Sequence, residues 1–263
     1  MDSRRKVKSM IAEERRAILR KELNDNGYSQ ATELADRLQL SAATIRRDLS
    51  FLEKHGLCFR KHGGAIRSAQ GVTLELPYET KQRRKIAEKK RIAEAAARLV
   101  QDGDTLILDA GSTTYALALL LLSKQRITVV TNDLQIACKL ASNPNIRLIC
   151  TGGIARASVF SLQGSQVESF VKDISVDKTF LGADAIHSDN TVANVNFEEV
   201  PIKQAMLRAA KRVFLLADST KFDKTGFVKV CDLSDVDAII TDSGIPPEKL
   251  AQYQSLGLNV VVV

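Results

Sequence analysis

From residue 105 onward, seven short runs of β-branched or wholly apolar residues recur, at 105–108, 127–130, 146–150, 179–182, 213–217, 238–240 and 258–263. Helix-like segments lie between most of them, such as 114–122, 134–141 and 200–212. A strand with one wet face alternates apolar with polar residues, whereas a strand covered on both faces is apolar throughout. Continuous apolar strands separated by helices predict a mainly parallel sheet with helices on both faces, an α/β layer fold of Rossmann-like type.

The residues that follow each run lie along one edge of such a sheet, and that edge is where open parallel sheets bind ligands. The edge collects Asp109, Gly111, Ser112, Thr113 and Thr114, then Thr131 and Asn132, then Thr151, Gly152 and Gly153. Asp184, the run Asp218, Ser219, Thr220 and Lys221, and finally Thr241 and Asp242 complete it. Loops that start helices are polar in any case, but six polar, hydroxyl-rich or Gly-Gly ends out of six exceed that expectation. The stretch 109–114 is the most informative. Glycine permits close backbone approach, and the N–H groups that follow open a helix, where an anion is stabilised. Hydroxyls add donors, and Lys221 from another loop supplies a neutralising charge. This predicts a phosphate pocket, with Asp109 and Asp184 accepting hydrogen bonds from sugar hydroxyls. Helix capping alone is the competing explanation for Ser112, Thr113 and Thr114. Neither G-x-G-x-x-G nor Gly-Lys-Ser/Thr occurs, so no dinucleotide or nucleotide cofactor is expected.

The first quarter of the chain has a different logic. In residues 41–54, Ile45, Leu49 and Leu52 fall on one side of a helix, while Ala43, Arg46, Arg47, Ser50 and Lys54 fall on the other. Ser41 suits the N-cap. A cationic face with small side chains and no carboxylate fits a groove, where arginine forks onto guanine edges or phosphates. Before it, Ala31, Leu34, Ala35 and Leu38 mark a short helix, separated only by Gln39 and Leu40. Two short helices on a tight turn, the second cationic outside, predict a helix-turn-helix over about 29–48. An earlier helix carries Ile11, Ile18, Leu19 and Leu23. After Gly56, the run 57–62 returns through Gly63-Gly64 to 65–67, a hairpin with Arg60, Lys61 and His62 near its tip, as a wing would have. The DNA-facing residues are therefore expected to be Ser41, Ala43, Thr44, Arg46, Arg47, Ser50, Arg60, Lys61 and His62, with double-stranded DNA as the partner.

Charge divides the chain in the same way. Residues 1–67 hold 15 Lys/Arg against 9 Asp/Glu, residues 68–91 hold 7 against 3, and residues 92–263 hold 16 against 19. The excess at the front is the footprint for a polyanion. The expected divisions are a basic extension at 1–10, a winged helix-turn-helix at 11–67, a linker and basic helix at 68–91, and the α/β domain at 92–263. The extension suits a solvated tail or a minor-groove arm. The basic helix, expected from Glu79 to about Val100, suits a solvated face, a subunit contact or DNA phosphates. Cys58, Cys138, Cys150 and Cys231 are widely spaced with no C-x-x-C pair, which fits reduced thiols in the cytoplasm and no metal site. The longest apolar run, 116–122, is too short to span a bilayer, so no membrane association is expected.

The run Thr44-Ile45-Arg46-Arg47-Asp48-Leu49, followed by Leu52-Glu53, Gly56 and Arg60-Lys61-His62-Gly63-Gly64-Ala65, resembles the N-terminal module of DeoR-type bacterial transcriptional regulators. Asp109-Ala110-Gly111-Ser112-Thr113, Thr131-Asn132, Gly152-Gly153, Gly164, 180–183, 203–206 and 217–222 are similar to that family's C-terminal sensor. The resemblance implies a sensor akin in fold to ribose-5-phosphate isomerase, glucosamine-6-phosphate deaminase and CoA transferases. It also implies a repressor or other regulator of carbohydrate genes, whose phosphorylated sugar or related effector alters its grip on an operator. The effector-binding set is then Asp109, Gly111, Ser112, Thr113, Thr114, Thr131, Asn132, Gly152, Gly153, Asp184, Asp218, Ser219 and Lys221. The alternative is a sugar-phosphate isomerase or CoA-transferase-like enzyme carrying a DNA-binding domain. Where many relatives have a glycine after Ile186, this chain has His187-Ser188-Asp189-Asn190-Thr191. A single helix-turn-helix reads few base pairs, so a homo-oligomer is expected.

Overall fold

A computed structural model describes residues 12–26, 28–54, 58–61, 63–67 and 75–263. The chain forms two compact units, Met1–Leu74 and Glu75–Val263.

The first unit holds α1 (Ala12–Asn26), β1 (Tyr28–Gln30), α2 (Ala31–Arg37), α3 (Ala42–Lys54), β2 (Cys58–Lys61) and β3 (Gly64–Arg67). Leu19 and Leu23 of α1, Leu34 of α2, and Ile45, Leu49 and Leu52 of α3 bury a common core with Cys58 and Ala65 of the hairpin. The turn between α2 and α3 is closed by Leu40 N–H donating to Ala35 O at 2.9 Å, with Gln39 in the left-handed region at φ 52°. Ser41 caps α3 as expected, its hydroxyl accepting the Thr44 N–H at 3.1 Å. Two features differ from the sequence expectation. The three-residue β1, too short to show a period, pairs antiparallel with β3 and makes the hairpin a three-stranded sheet of order β1-β3-β2. The register sets Lys61 opposite Gly64, so Gly64 is a strand residue and the turn does not sit on the Gly63-Gly64 pair. Gly63, at φ 82°, is the glycine the turn requires.

The second unit begins with α4 (Tyr78–Arg83) and α5 (Ile86–Arg98). The single basic helix expected here is broken, because Lys85 lies at φ 54°, a left-handed conformation that no α-helix continues through. Both pieces belong to the α/β unit rather than to a linker, since α5 buries Ile92, Ala93 and Ala96 against the sheet. All seven strands expected from the sequence form one parallel sheet of order β15-β14-β12-β9-β4-β5-β6. They are β4 (Thr105–Leu108), β5 (Ile127–Thr131), β6 (Ile146–Cys150), β9 (Val176–Gly182), β12 (Ala210–Leu216), β14 (Ala238–Thr241) and β15 (Val260–Val262). Alternate residues serve opposite faces. Leu106, Leu108, Phe180, Phe214 and Ile240 pack with α5, α6 (Ser112–Leu121) and α7 (Leu134–Leu140). Ile107, Leu181, Leu215 and Ile239 pack with α8 (Ser165–Lys172), α9 (Val200–Ala209) and α10 (Pro247–Ser255).

Short antiparallel pieces decorate the sheet and were not legible in the sequence, being two to five residues long. They are the pair β7 (Ile154–Ala155) with β8 (Leu162–Gln163), and a sheet of β10 (Ala185–Ile186), β11 (Thr191–Asn194) and β13 (Val228–Asp232). No helix among the described residues is long and apolar enough to cross a membrane.

One buried charge fixes the attitude of α3. Asp48, 1% exposed, accepts from Arg15 Nε at 2.8 Å and Arg16 Nε at 3.1 Å, both on α1. Deleting it removes the carboxylate that two half-buried guanidinium groups share. Asp48→Ala is expected to cost roughly 1–3 kcal/mol in this unit, read as faster amide exchange along α3. Unchanged exchange would show that apolar packing alone holds the helix.

Candidate functional site

Along the sheet, the chain runs outward from β4 through β5 to β6, then returns beside β4 as β9 and runs the other way through β12, β14 and β15. The connections leaving β4 and β9 therefore part in opposite directions, and the crevice between such strand ends is the natural ligand position of this topology. Asp109 ends β4 and Gly182 ends β9. Asp109 Oδ2 accepts the Gly182 N–H at 2.9 Å and forms a buried ion pair with Lys203 of α9, whose Nζ also donates to Gly182 O at 3.1 Å. The charge expected to meet a sugar hydroxyl instead ties two strand ends and a helix together.

Asp133, which caps α7 through the N–H groups of Gln135 and Ile136, also accepts the Gly111 N–H at 3.1 Å. Burial pushes the Asp133 carboxyl up to about 6, against these three N–H donors. Thr114 donates its hydroxyl to Gly111 O at 2.8 Å, a capping role. Ser112 and Thr113 are each 9% exposed, and neither hydroxyl has a hydrogen-bond partner among the described residues. The first-turn N–H groups of α6 have no intrahelical acceptors. Beside them, Thr131 is structural: its hydroxyl donates to Leu108 O at 2.8 Å and accepts the Asp133 N–H at 3.1 Å. Asn132 donates to Leu162 O at 3.3 Å, but its buried Oδ1 has no partner. Gly152 and Gly153 turn the chain after β6, and at Gly153 a Cβ would stand 2.4 Å from a Val167 methyl and 2.7 Å from Gln163 O.

The opposite wall is charged. Asp184 accepts from Lys81 Nζ at 3.1 Å and from the Val195 N–H at 3.2 Å. Burial opposes its charge, yet Lys81, Lys221 and Lys203 hold its carboxyl well below the usual range. Asp218 accepts from the N–H and hydroxyl of Thr220, and the Ser219 N–H donates to Asp242 at 2.7 Å. Lys221 is half-buried and makes no ion pair or side-chain hydrogen bond among the described residues. Burial lowers its pKa against the pull of Asp184 and Asp218, with Lys81 and Arg84 adding repulsion. Lys89, 6% exposed, is brought down to about 8, mainly by burial. Its amine donates to the carbonyls of Lys81 and Arg84 at the break between α4 and α5.

Sequence reasoning thus reached the strand-end residues and missed their partners. Glu75, Lys81, Asp133, Arg156, Glu199 and Lys203 complete the network. Arg156 bridges Glu75 at 2.5 Å and Glu199 at 2.7 Å, and Glu199 also accepts from Ser161 at 2.5 Å and Asn194 at 2.9 Å. One signal was present for Lys89, which stands in register with Ile92, Ala93 and Ala96, so that a cation interrupts an apolar stripe.

In the first unit, Ser41, Ala43, Arg46 and Arg47 are exposed, and Thr44 and Ser50 are half-buried. Ser50 is occupied within the protein, its hydroxyl donating to Arg46 O at 2.8 Å and accepting from Arg60 Nη1 at 2.9 Å. Arg60 is also held through its N–H on Glu53 at 3.0 Å, which ties the hairpin to α3. The side chain of Lys61, and His62 altogether, lie outside the described residues.

Comparison with known proteins agrees with this division. Residues 15–70 match the DeoR-like helix-turn-helix domain, and residues 84–243 match the DeoR C-terminal sensor domain. The chain is 34% identical over 242 residues to the HTH-type transcriptional regulator GolR of Listeria innocua, covering 91% of this chain and 94% of the relative. It is 32% identical over 230 residues to the glycerol-3-phosphate regulon repressor of Escherichia coli K12, covering 88% and 90%. Ribose 5-phosphate isomerase A of Methanocaldococcus jannaschii superimposes with a TM-score of 0.38 at 18% identity, over 51% of this chain and 53% of that one. A helix-turn-helix unit and a sensor unit, each matching its family model, make this chain a member of the DeoR family of transcriptional regulators.

Proposed function

We propose that the chain is a repressor of a carbohydrate operon whose second unit binds a phosphorylated sugar or polyol between the start of α6 and Lys221. The observation that carries this is the pairing of unused donors with an unused cation. Among the described residues the hydroxyls of Ser112 and Thr113 have no hydrogen-bond partner and the half-buried Lys221 makes no ion pair, and the N–H groups of α6 open beside those hydroxyls. A half-buried cation that makes no ion pair is a ready partner for an anion, and a phosphate on a helix N-terminus supplies one. The name of the glycerol-3-phosphate regulon repressor supports this ligand class.

The carboxylates that an isomerase would need as a base are all engaged, which favours sensing over turnover. Asp109 is held by Lys203 and Gly182, Asp184 by Lys81 and Val195, and Asp218 by Thr220. On the DNA side, the exposed Arg46 and Arg47 of α3 are the base-reading candidates, with Ala43 and Ser41 allowing close approach. Arg60, Lys61 and His62 of the hairpin complete the proposed contact set. Two or more copies of the chain would read repeated half-sites.

Replacing Arg46 or Arg47 with alanine is expected to weaken operator binding by roughly 1–3 kcal/mol if the arginine is bidentate to guanine. Gel-shift titrations at several salt concentrations check this, and unchanged binding in both variants would remove α3 from the interface. Sedimentation at micromolar concentration is expected to show an assembly larger than the monomer, and a monomer with and without DNA would contradict it. Lys221→Ala is expected to weaken effector binding by about one to two orders of magnitude while DNA affinity without effector stays unchanged. Effector titrations of operator-bound wild type and variant measure the shift, and identical midpoints would move the phosphate to another loop.

A further inference from the structure

We propose that Glu75 is an internal stand-in for the effector's anionic group, and that an arriving phosphate displaces it from Lys81 and Arg156. The proposal rests on the phosphate reading above and adds how occupancy is passed on. Glu75 presents one carboxylate oxygen to Lys81 Nζ at 2.9 Å and the other to Arg156 Nη2 at 2.5 Å. This two-cation fork is the arrangement in which proteins hold carboxylate and phosphate ligands.

Neighbouring donors show which carboxylate can yield. Lys81, Arg156, Lys203 and Lys221 lie among Glu75, Asp184, Glu199 and Asp218. A phosphate that binds Lys81 and Arg156 competes with the carboxylate these two cations already hold. Three of the four carboxylates are fixed by other donors. Asp184 also takes the Val195 N–H, Glu199 takes Ser161 and Asn194, and Asp218 takes the N–H and hydroxyl of Thr220. Among the described residues Glu75 is held by its two cations alone, and its backbone belongs to no helix or strand.

Its position gives the exchange a consequence. Glu75 is the first residue of the sensor unit, so the covalent chain from the DNA-binding unit enters the sensor there. Two residues beyond Leu76 the chain is firmly anchored. The Tyr78 N–H donates to Ser158 O at 2.8 Å, and the buried Tyr78 ring meets Tyr115 and Phe160 edge-on at 6.2 and 5.6 Å. Displacement therefore frees residues 75–77 while Tyr78 stays seated, and the segment that joins the two units changes its tether when the pocket fills.

The test uses the full chain with inorganic phosphate as the probe, comparing wild type with Glu75→Gln, which keeps the shape and removes the charge. Competition predicts that the variant half-saturates at about tenfold lower phosphate, since each charge-assisted contact recovered is of that order. Amide exchange on the wild type gives a second readout that does not depend on the variant folding. Added phosphate is expected to speed exchange in the peptide that contains residues 75–76 and to leave α5 unchanged. Saturable binding by the wild type with equal or weaker binding by Glu75→Gln, or with slower exchange at 75–76, would overturn the latch alone. Absence of phosphate binding by both would overturn the phosphate reading and the latch with it.

Discussion

The buried ion pair between Asp109 and Lys203 is the interaction on which the carboxyl edge of the sheet depends. Two charges taken out of water are tolerated only when each is paired and hydrogen-bonded. Here the pair also closes on both the N–H and the C=O of Gly182, so one contact fixes the ends of β4 and β9 and the face of α9. Those two strands flank the point where the chain reverses direction across the sheet, and the crevice between them is held at a defined width. The hydroxyls of Ser112 and Thr113, at the start of α6, have no hydrogen-bond partner among the described residues.

Around this point the molecule separates charges that brace from charges left available. Asp133 holds Gly111, Asp218 caps the turn at Ser219–Lys221, and Glu199 gathers Arg156, Ser161 and Asn194. Against that background Lys221 stands apart as a half-buried cation that makes no ion pair among the described residues, with Asp184 and Asp218 attracting it from farther away. A sensor needs this asymmetry, because a ligand can change a protein's behaviour only through contacts that one state offers and the other does not. A site in which every group is already satisfied has nothing left to respond with.

The sheet was almost entirely legible in the sequence, because seven short runs of β-branched or apolar residues have few alternative explanations. The helix-turn-helix was legible for a similar reason: Ile45, Leu49 and Leu52 on one face leave Arg46 and Arg47 on the other. What escaped were elements too short to show a period, such as β1 and β10, and the break at Lys85, where a left-handed residue interrupts a strongly helical composition. At the proposed site, polar residues after strands marked one edge of the sheet but not their individual roles. Thr131 and Asp109 brace the scaffold, a distinction that depends on partners such as Lys203, 94 positions away in the chain. Lys81 and Arg156 could not be placed at all, since nothing local marks an exposed-looking cation as one that folds back onto a strand end.

The central claim is that the crevice binds a phosphorylated compound and does not transform it. Phosphorus NMR of glycerol 3-phosphate mixed with the protein tests this directly. The account predicts a shifted or broadened resonance that returns unchanged when the ligand is displaced, in wild type and not in Lys221→Ala. A new phosphorus resonance that grows with time would show turnover and make the second unit an enzyme, and an unperturbed resonance with this and other sugar phosphates would leave the crevice without its proposed ligand.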